Sequence, residues 1–206
     1  SQGFRLAGDL HRPECTPAPC VICSHGLFSS KESPKFIAVA EALACGGFTA
    51  VRYDHRGCGG SGGDLRETTV SGRLADLTAV VDFVRRLPDQ NGRIGLMGSS
   101  MGGFISLLAA GGSDAFAALA VWSTPHRLQT HRGHYGEAAG LLGDAFFEEL
   151  RLRPPALHLE SVRRCLLLHG RRDELVALRQ AERNYSLLGF PKELAVFSEA
   201  DHRFSD

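Results

Sequence analysis

A mostly parallel β-sheet with helices packed on both faces is the fold class this sequence predicts. Three observations carry the prediction. Short apolar runs of strand length recur throughout the 206 residues. Between them lie longer segments whose apolar residues fall at helical spacing. Glycine, proline or a polar loop marks each passage from one to the other. Strands alternating with helices argue a parallel sheet covered on both faces.

The elements follow in order. Residues 4–12 alternate loosely and are expected as an edge strand pair, followed by a loop from Pro13 to Pro19. Cys20–Ser24 is a short apolar run, as a strand buried on both faces requires. Pro34–Cys45 is a helix with Phe36, Ile37, Val39, Ala40, Leu43 and Ala44 on one stripe, stopped by Gly46-Gly47. Phe48–Tyr53 is a strand, and Asp54–Gly63 is a glycine-dense loop. Val70–Arg86 is a helix with Leu74, Leu77, Val80, Val81 and Val84 on one face. Arg93–Met97 leads into a tight turn, and a helix starts at Met101. Ala117–Trp122 is a strand. Residues 123–163 are a less regular, lid-like insertion with one amphipathic piece, Ala138–Leu150. Cys165–Gly170 is a strand, Leu175–Leu188 a helix, Leu194–Phe197 the last strand and Ser198–Asp206 a terminal loop. No repeat or linker divides the chain, so residues 1–206 are expected to form one domain.

Composition narrows the function classes. Lys+Arg and Asp+Glu both number 23, which removes the electrostatic case for nucleic acid or an anionic membrane. No run of 18 apolar residues exists, and the first residues carry no apolar signal segment. Six cysteines are present. Cys20 and Cys23 have C-x-x-C spacing but lie along a strand, and Cys23 and Cys165 sit in apolar runs. The expectation is a reduced, cytoplasmic protein.

Chemistry concentrates around Gly98-Ser99-Ser100-Met101-Gly102-Gly103, a G-x-S-x-G turn between strand and helix. Such an elbow lifts the central serine, Ser100, above the sheet edge, and its glycines admit a sharp backbone bend. Ser99, the other serine, is expected to face the sheet or a neighbouring loop. A serine hydroxyl needs a base, and the base needs an orienting partner. Asp173 follows one later strand and His202 follows the last, so both belong to the same sheet edge as Ser100. Asp201 and Glu199 adjoin His202 but are poorly placed to reach its ring, and Glu174 is expected to face solvent. Backbone N–H groups of Leu27 and Met101 fit an oxyanion hole by position. Asp54 and Arg56 are expected to pair and brace their loop, with His55 a loop residue. Trp122 is read as core, with the acyl pocket as its other place. His126, His131 and His134 lack partners at ligand spacing except Glu137, so neither a metal nor a cofactor is expected.

The stretches His25–Glu32, Tyr53–Ser61, Gly98–Gly103, His169–Asp173 and His202–Phe204 together resemble the α/β-hydrolase superfamily. The chain is similar to its small, nearly lidless esterases: dienelactone-hydrolase-like and serine-aminopeptidase-like enzymes and cinnamoyl/feruloyl esterases. The resemblance implies the α/β-hydrolase fold and a serine carboxylic-ester hydrolase working through Ser100, His202 and Asp173. Small to medium soluble esters are its expected substrates, and a homodimer stays open. The family's final helix after the histidine loop is expected to be missing from this chain or to lie beyond Asp206. Two other readings stand beside it. One is a peptidase on the same groups, with Glu137, Glu148 or Glu149 holding a peptide N-terminus. The other is a non-catalytic binding protein on this fold.

Overall fold

The computed structural model describes residues 1–205. Its seven strands form one sheet in the order β1-β3-β2-β4-β5-β6-β7. They are β1 (Gly8–His11), β2 (Ala18–Ser24), β3 (Thr49–Tyr53), β4 (Gln90–Ser99), β5 (Ala118–Trp122), β6 (Cys165–Gly170) and β7 (Lys192–Phe197). Only β1 runs antiparallel, on β3. Residues 4–12 therefore supply one edge strand where the sequence suggested a pair. Phe4 to Ala7 turn instead toward the glycine-dense loop, where Gly62 donates to the Arg5 carbonyl and Asp54 to the Ala7 carbonyl.

Five α-helices cover the sheet: α1 (Pro34–Cys45), α2 (Val70–Arg85), α3 (Met101–Ala110), α4 (Asp144–Leu152) and α5 (Leu178–Leu187). The amphipathic piece of the insertion begins later than its apolar pattern suggests. Arg132–Leu141 forms 3-10 turns broken at Gly136, and the regular helix starts at Asp144. Here Phe146, Phe147 and Leu150 turn inward to join the main core. Likewise α5 starts only at Leu178, because Leu175 and Val176 donate their N–H groups to the Asp173 carboxylate.

The core has two sides. Cys20, Ile22, Leu96, Val121 and Leu167 point toward α2, α3 and α4, with Leu187 and Leu188 closing the same side. Cys23 and Trp122 point the other way, onto Phe36 of α1. Cys20 and Cys23 thus lie on opposite faces of the sheet and are free thiols. Burial pushes both, and Cys165, up to about 12, as suits inert core cysteines. Beside α1 the second face is partly open. A shallow concavity of about 420 Å³ there is lined by Val21, Met97, Ala120 and Leu166 among others.

Register aligns the C-terminal ends of the parallel strands. Ser24 of β2 pairs with Gly98, Ser99 with Trp122, and Trp122 with Leu168. The loops after β2, β4, β6 and β7 therefore open on one rim, which carries Leu27, Ser100, Asp173 and His202.

Candidate active site

Strand β4 ends at Ser99 and α3 begins at Met101, so Ser100 alone makes the turn. Its backbone sits at φ 54°, ψ −119°, a conformation an L-residue adopts only when its surroundings enforce it. Two enforcing contacts are Gly98 and Gly102. A Cβ on Gly98 would meet the Gly102 carbonyl, and one on Gly102 would meet the Ser24 carbonyl, both closer than atoms can pack. The Ser100 N–H donates to the Trp122 carbonyl at 2.9 Å, tying the elbow to β5.

Ser100 Oγ lies 3.1 Å from His202 Nε2. On the other side of the ring, His202 Nδ1 is 2.9 Å from each oxygen of Asp173. Burial would raise the Asp173 carboxyl, but hydrogen bonds from His202 and the Val176 N–H outweigh it and hold its pKa below the ordinary range. An ionised carboxylate only accepts, so Nδ1 carries the proton and Nε2 is left to accept from the serine hydroxyl. The structure thus brings three groups, separated by up to 102 positions in sequence, into one hydrogen-bonded line.

Neighbouring carboxylates have other work. Asp201 accepts the Arg203 and Ser205 N–H groups, and Glu199 pairs with Arg172. Glu174 is exposed, as expected, yet its carboxylate also accepts the His202 N–H at 3.3 Å. Ser99 Oγ accepts from Lys35 Nζ at 3.0 Å. Trp122 stacks on Phe36 with ring centroids 5.3 Å apart, which settles it in the core.

Leu27 and Met101 both line the cavity at Ser100. Met101 is the first helical residue, whose N–H has no intrahelical acceptor. Its counterpart is aimed indirectly. The Gly26 carbonyl, which shares a trans peptide with the Leu27 N–H, accepts from His25 Nδ1 at 2.7 Å and from Arg73 Nη1 at 3.4 Å. Arg73 also donates to the Leu27 carbonyl at 3.0 Å. In a trans peptide the N–H points opposite to the C=O, so gripping the carbonyl fixes where the Leu27 N–H points.

A buried polar layer supports that loop. His25 Nε2 accepts the His55 N–H at 3.1 Å. His55 is fully buried, its Nε2 3.0 Å from Ser24 Oγ and 3.2 Å from the Tyr53 hydroxyl. His55 is a loop residue, as the sequence suggested, and its burial and side-chain partners add to that reading. The expected Asp54–Arg56 pair is replaced. Arg56 grips Asp76 of α2, while Asp54 accepts the Lys31 and Gly60 N–H groups. Burial alone would raise the Asp76 carboxyl, but the His55 ring beside it and the Arg56 hydrogen bonds hold it well below the usual range. Both histidines are driven toward the neutral ring by burial, His55 down to about 4 and His25 in the same direction. Sequence reasoning passed over Arg73 and Asp76. The available signal was two charges three residues apart inside the buried stripe of Val70, Leu77, Val80 and Val84.

The cavity over Ser100 holds about 830 Å³. Its far wall comes from the insertion, through Arg127, Leu128, His134, Tyr135 and Ala138. Among the described residues no group of three or more His, Cys, Asp or Glu side chains is placed to hold a metal ion. His126 Nδ1 is 2.9 Å from Asn184 Oδ1, and His131 accepts the Gly133 N–H. Glu149 caps α2 by accepting the Val70 and Ser71 N–H groups.

Residues 2–150 match the family model described as X-Pro dipeptidyl-peptidase (S15 family). The chain belongs to the S15 family. That match includes Ser100 and stops before Asp173 and His202. Mouse ABHD10, a mitochondrial palmitoyl-protein thioesterase, is 35% identical over 92 residues, 45% of this chain and 29% of that protein. YfhR of Escherichia coli K12 is 28% identical over 166 residues, 77% of this chain and 55% of that protein. The chain thus spans between under a third and about half the length of these curated relatives. Among solved structures, Est1E of Butyrivibrio proteoclasticus with ferulic acid bound superposes with a TM-score of 0.81 at 24% identity, covering 98% of this chain and 89% of that one. Mouse ABHD10 superposes with a TM-score of 0.78 at 24% identity, covering 98% and 87%. These likenesses show that this S15 member has the α/β-hydrolase fold, as its sequence motifs suggested.

Proposed function

We propose that the chain is a serine hydrolase that cleaves carboxylic esters of small to medium substrates. The observation that carries this is the line from the Ser100 hydroxyl through the His202 ring to the Asp173 carboxylate. Ser100 Oγ attacks the ester carbonyl while His202 Nε2 takes its proton, and the Leu27 and Met101 amides receive the oxyanion. The C–O bond to the alcohol then breaks as His202 returns that proton to the leaving oxygen, leaving an acyl-Ser100. Water, deprotonated by the same ring, attacks the acyl carbon, and the acid departs as Ser100 regains its proton. Asp173 holds the ring's tautomer and stabilises the imidazolium throughout.

The family description raises a peptidase as second reading. Holding a peptide's terminal ammonium calls for a carboxylate in the pocket, and among the described residues neither Asp nor Glu lines the cavity. Glu149 is committed to α2, and Glu137 and Glu148 lie outside the lining. Acyl transfer from a thioester would use the same groups, as the ABHD10 name suggests.

Parallel assays separate these. p-Nitrophenyl acetate and butyrate are expected to turn over faster than aminoacyl-p-nitroanilides, with an acyl-thioester as third arm. Turnover of the anilides alone would transfer the chain to the peptidase reading. A fluorophosphonate probe is expected to label Ser100, and no adduct in folded protein would leave only a binding module.

A further inference from the structure

The charges around the cavity say something about what enters it. Lys35, Arg127 and Arg203 line it, together with His134 and His202, and among the described residues no carboxylate does. Lys35 is the informative one. It stands in the first turn of α1, the end of a helix that disfavours a cation. It is partly buried, and burial pulls its pKa down. Among the described residues its ammonium reaches no carboxylate within salt-bridge distance. Its one hydrogen bond goes to Ser99 Oγ, next to the proposed nucleophile, and the Trp122 ring centroid lies 5.4 Å away. Among the described residues, two of its three N–H bonds find no acceptor. Asp201 acts on the Lys35 charge from a distance and Arg203 opposes it. Asp201 does not line the cavity, and its Oδ1 is occupied by the Arg203 and Ser205 N–H groups.

A half-buried cation with no carboxylate in contact among the described residues, held beside a serine, is favoured by an anion that joins it. We propose that the cavity takes esters bearing a second, free carboxylate, and that Lys35, helped by Arg127 and Arg203, binds that carboxylate. The inference rests on the serine-esterase reading for turnover, though the binding it asserts does not need turnover. It runs opposite to the amine recognition that the dipeptidyl-peptidase description implies.

Two pairs of probes differ only in charge. Monoethyl glutarate and its carboxamide counterpart place the group on the acyl side. Acetoxyacetate and acetoxyacetamide place it on the alcohol side. Calorimetric binding to Ser100→Ala is expected to be at least tenfold tighter for the carboxylate in one pair, and kcat/KM of the unmutated chain is expected to favour the same member. The preference shrinks with added salt. In Lys35→Met the carboxylate-to-carboxamide ratio falls at least tenfold, and Lys35→Arg keeps most of it. Equal binding of both members in both pairs overturns the inference, as does a ratio unchanged in Lys35→Met. If the carboxamides turn over as fast as the carboxylates and Ser100 still labels with fluorophosphonate, the anion site fails and the esterase stands. If carboxylates bind selectively yet nothing is hydrolysed or labelled, the anion site stands and the esterase fails.

Discussion

Ser100, His202 and Asp173 differ in how each is fixed, and their substitutions should differ accordingly. Ser100→Ala removes the proposed nucleophile, with an expected loss of about 10⁴- to 10⁶-fold in kcat and complete loss of probe labelling. Asp173→Asn keeps the hydrogen-bonding geometry but can force the wrong ring tautomer, for an expected loss of about 10⁴-fold. Arg73 touches no reacting atom in the proposed reaction. It is a positioning residue that acts through the Gly26–Leu27 peptide. Losing one well-aimed oxyanion donor costs about 10²- to 10³-fold, and Arg73→Met should approach the lower figure in kcat while leaving KM nearly unchanged. A rise in KM with kcat unchanged, or an activity loss no larger than the loss of folded protein, would assign Arg73 to packing.

At the scale of elements, the strand–elbow–helix unit stands on close approach. The α3 backbone meets β2 at Gly102, where a Cβ has no room beside the Ser24 carbonyl. Overpacking a core usually costs about 1–3 kcal/mol, and here the obstacle is backbone, so Gly102→Ala should reach at least the top of that range in denaturant unfolding. Neighbouring positions of β6 offer a contrast. Leu167 is 2% exposed and packs under the helices, whereas Leu166 faces the half-open side. Leu167→Ala is expected to cost about 2–5 kcal/mol and Leu166→Ala clearly less. Most of these elements were legible because their apolar periods are strong: α1 matches its stripe from end to end, and β6 its unbroken run. The start of α4 was not legible. Ala138, Ala139 and Leu141 continue an apolar pattern, but Gly136 and Gly140 favour a broken 3-10 path until Gly143 caps the true helix.

Across the whole molecule, buried polar groups set the response to acid. His25 and His55 are held neutral in the fold, while in an unfolded chain they protonate near pH 6.5. The unfolded state therefore binds more protons below that pH. Stability is full above about pH 7 and falls as pH drops toward the folded-state value of about 4 for His55. Each histidine contributes a slope of up to about 1.4 kcal/mol per pH unit. Asp76 and Asp173 add to the loss further down, since their folded-state values are depressed and their stabilisation fades as pH falls through the carboxylate range. Thermal unfolding from pH 7 to pH 4 should show a falling midpoint, with a shallower fall in His55→Gln. A midpoint independent of pH over that range would contradict the neutral buried histidines.

Local pattern sufficed for whatever depends on neighbours in the chain: the alternation of strand and helix, the elbow at Ser100, and the strand-end positions of Asp173 and His202. Each follows from side-chain periodicity or from glycine where a bend leaves no space for a Cβ. Contacts between distant segments depended on the assembled sheet. Arg56 meets Asp76 rather than Asp54, His55 lies under the Leu27 loop, and Lys35 reaches Ser99 across 64 positions. Side-chain direction and burial decide which partner a charged group finds, and both are set only when helices and strands pack.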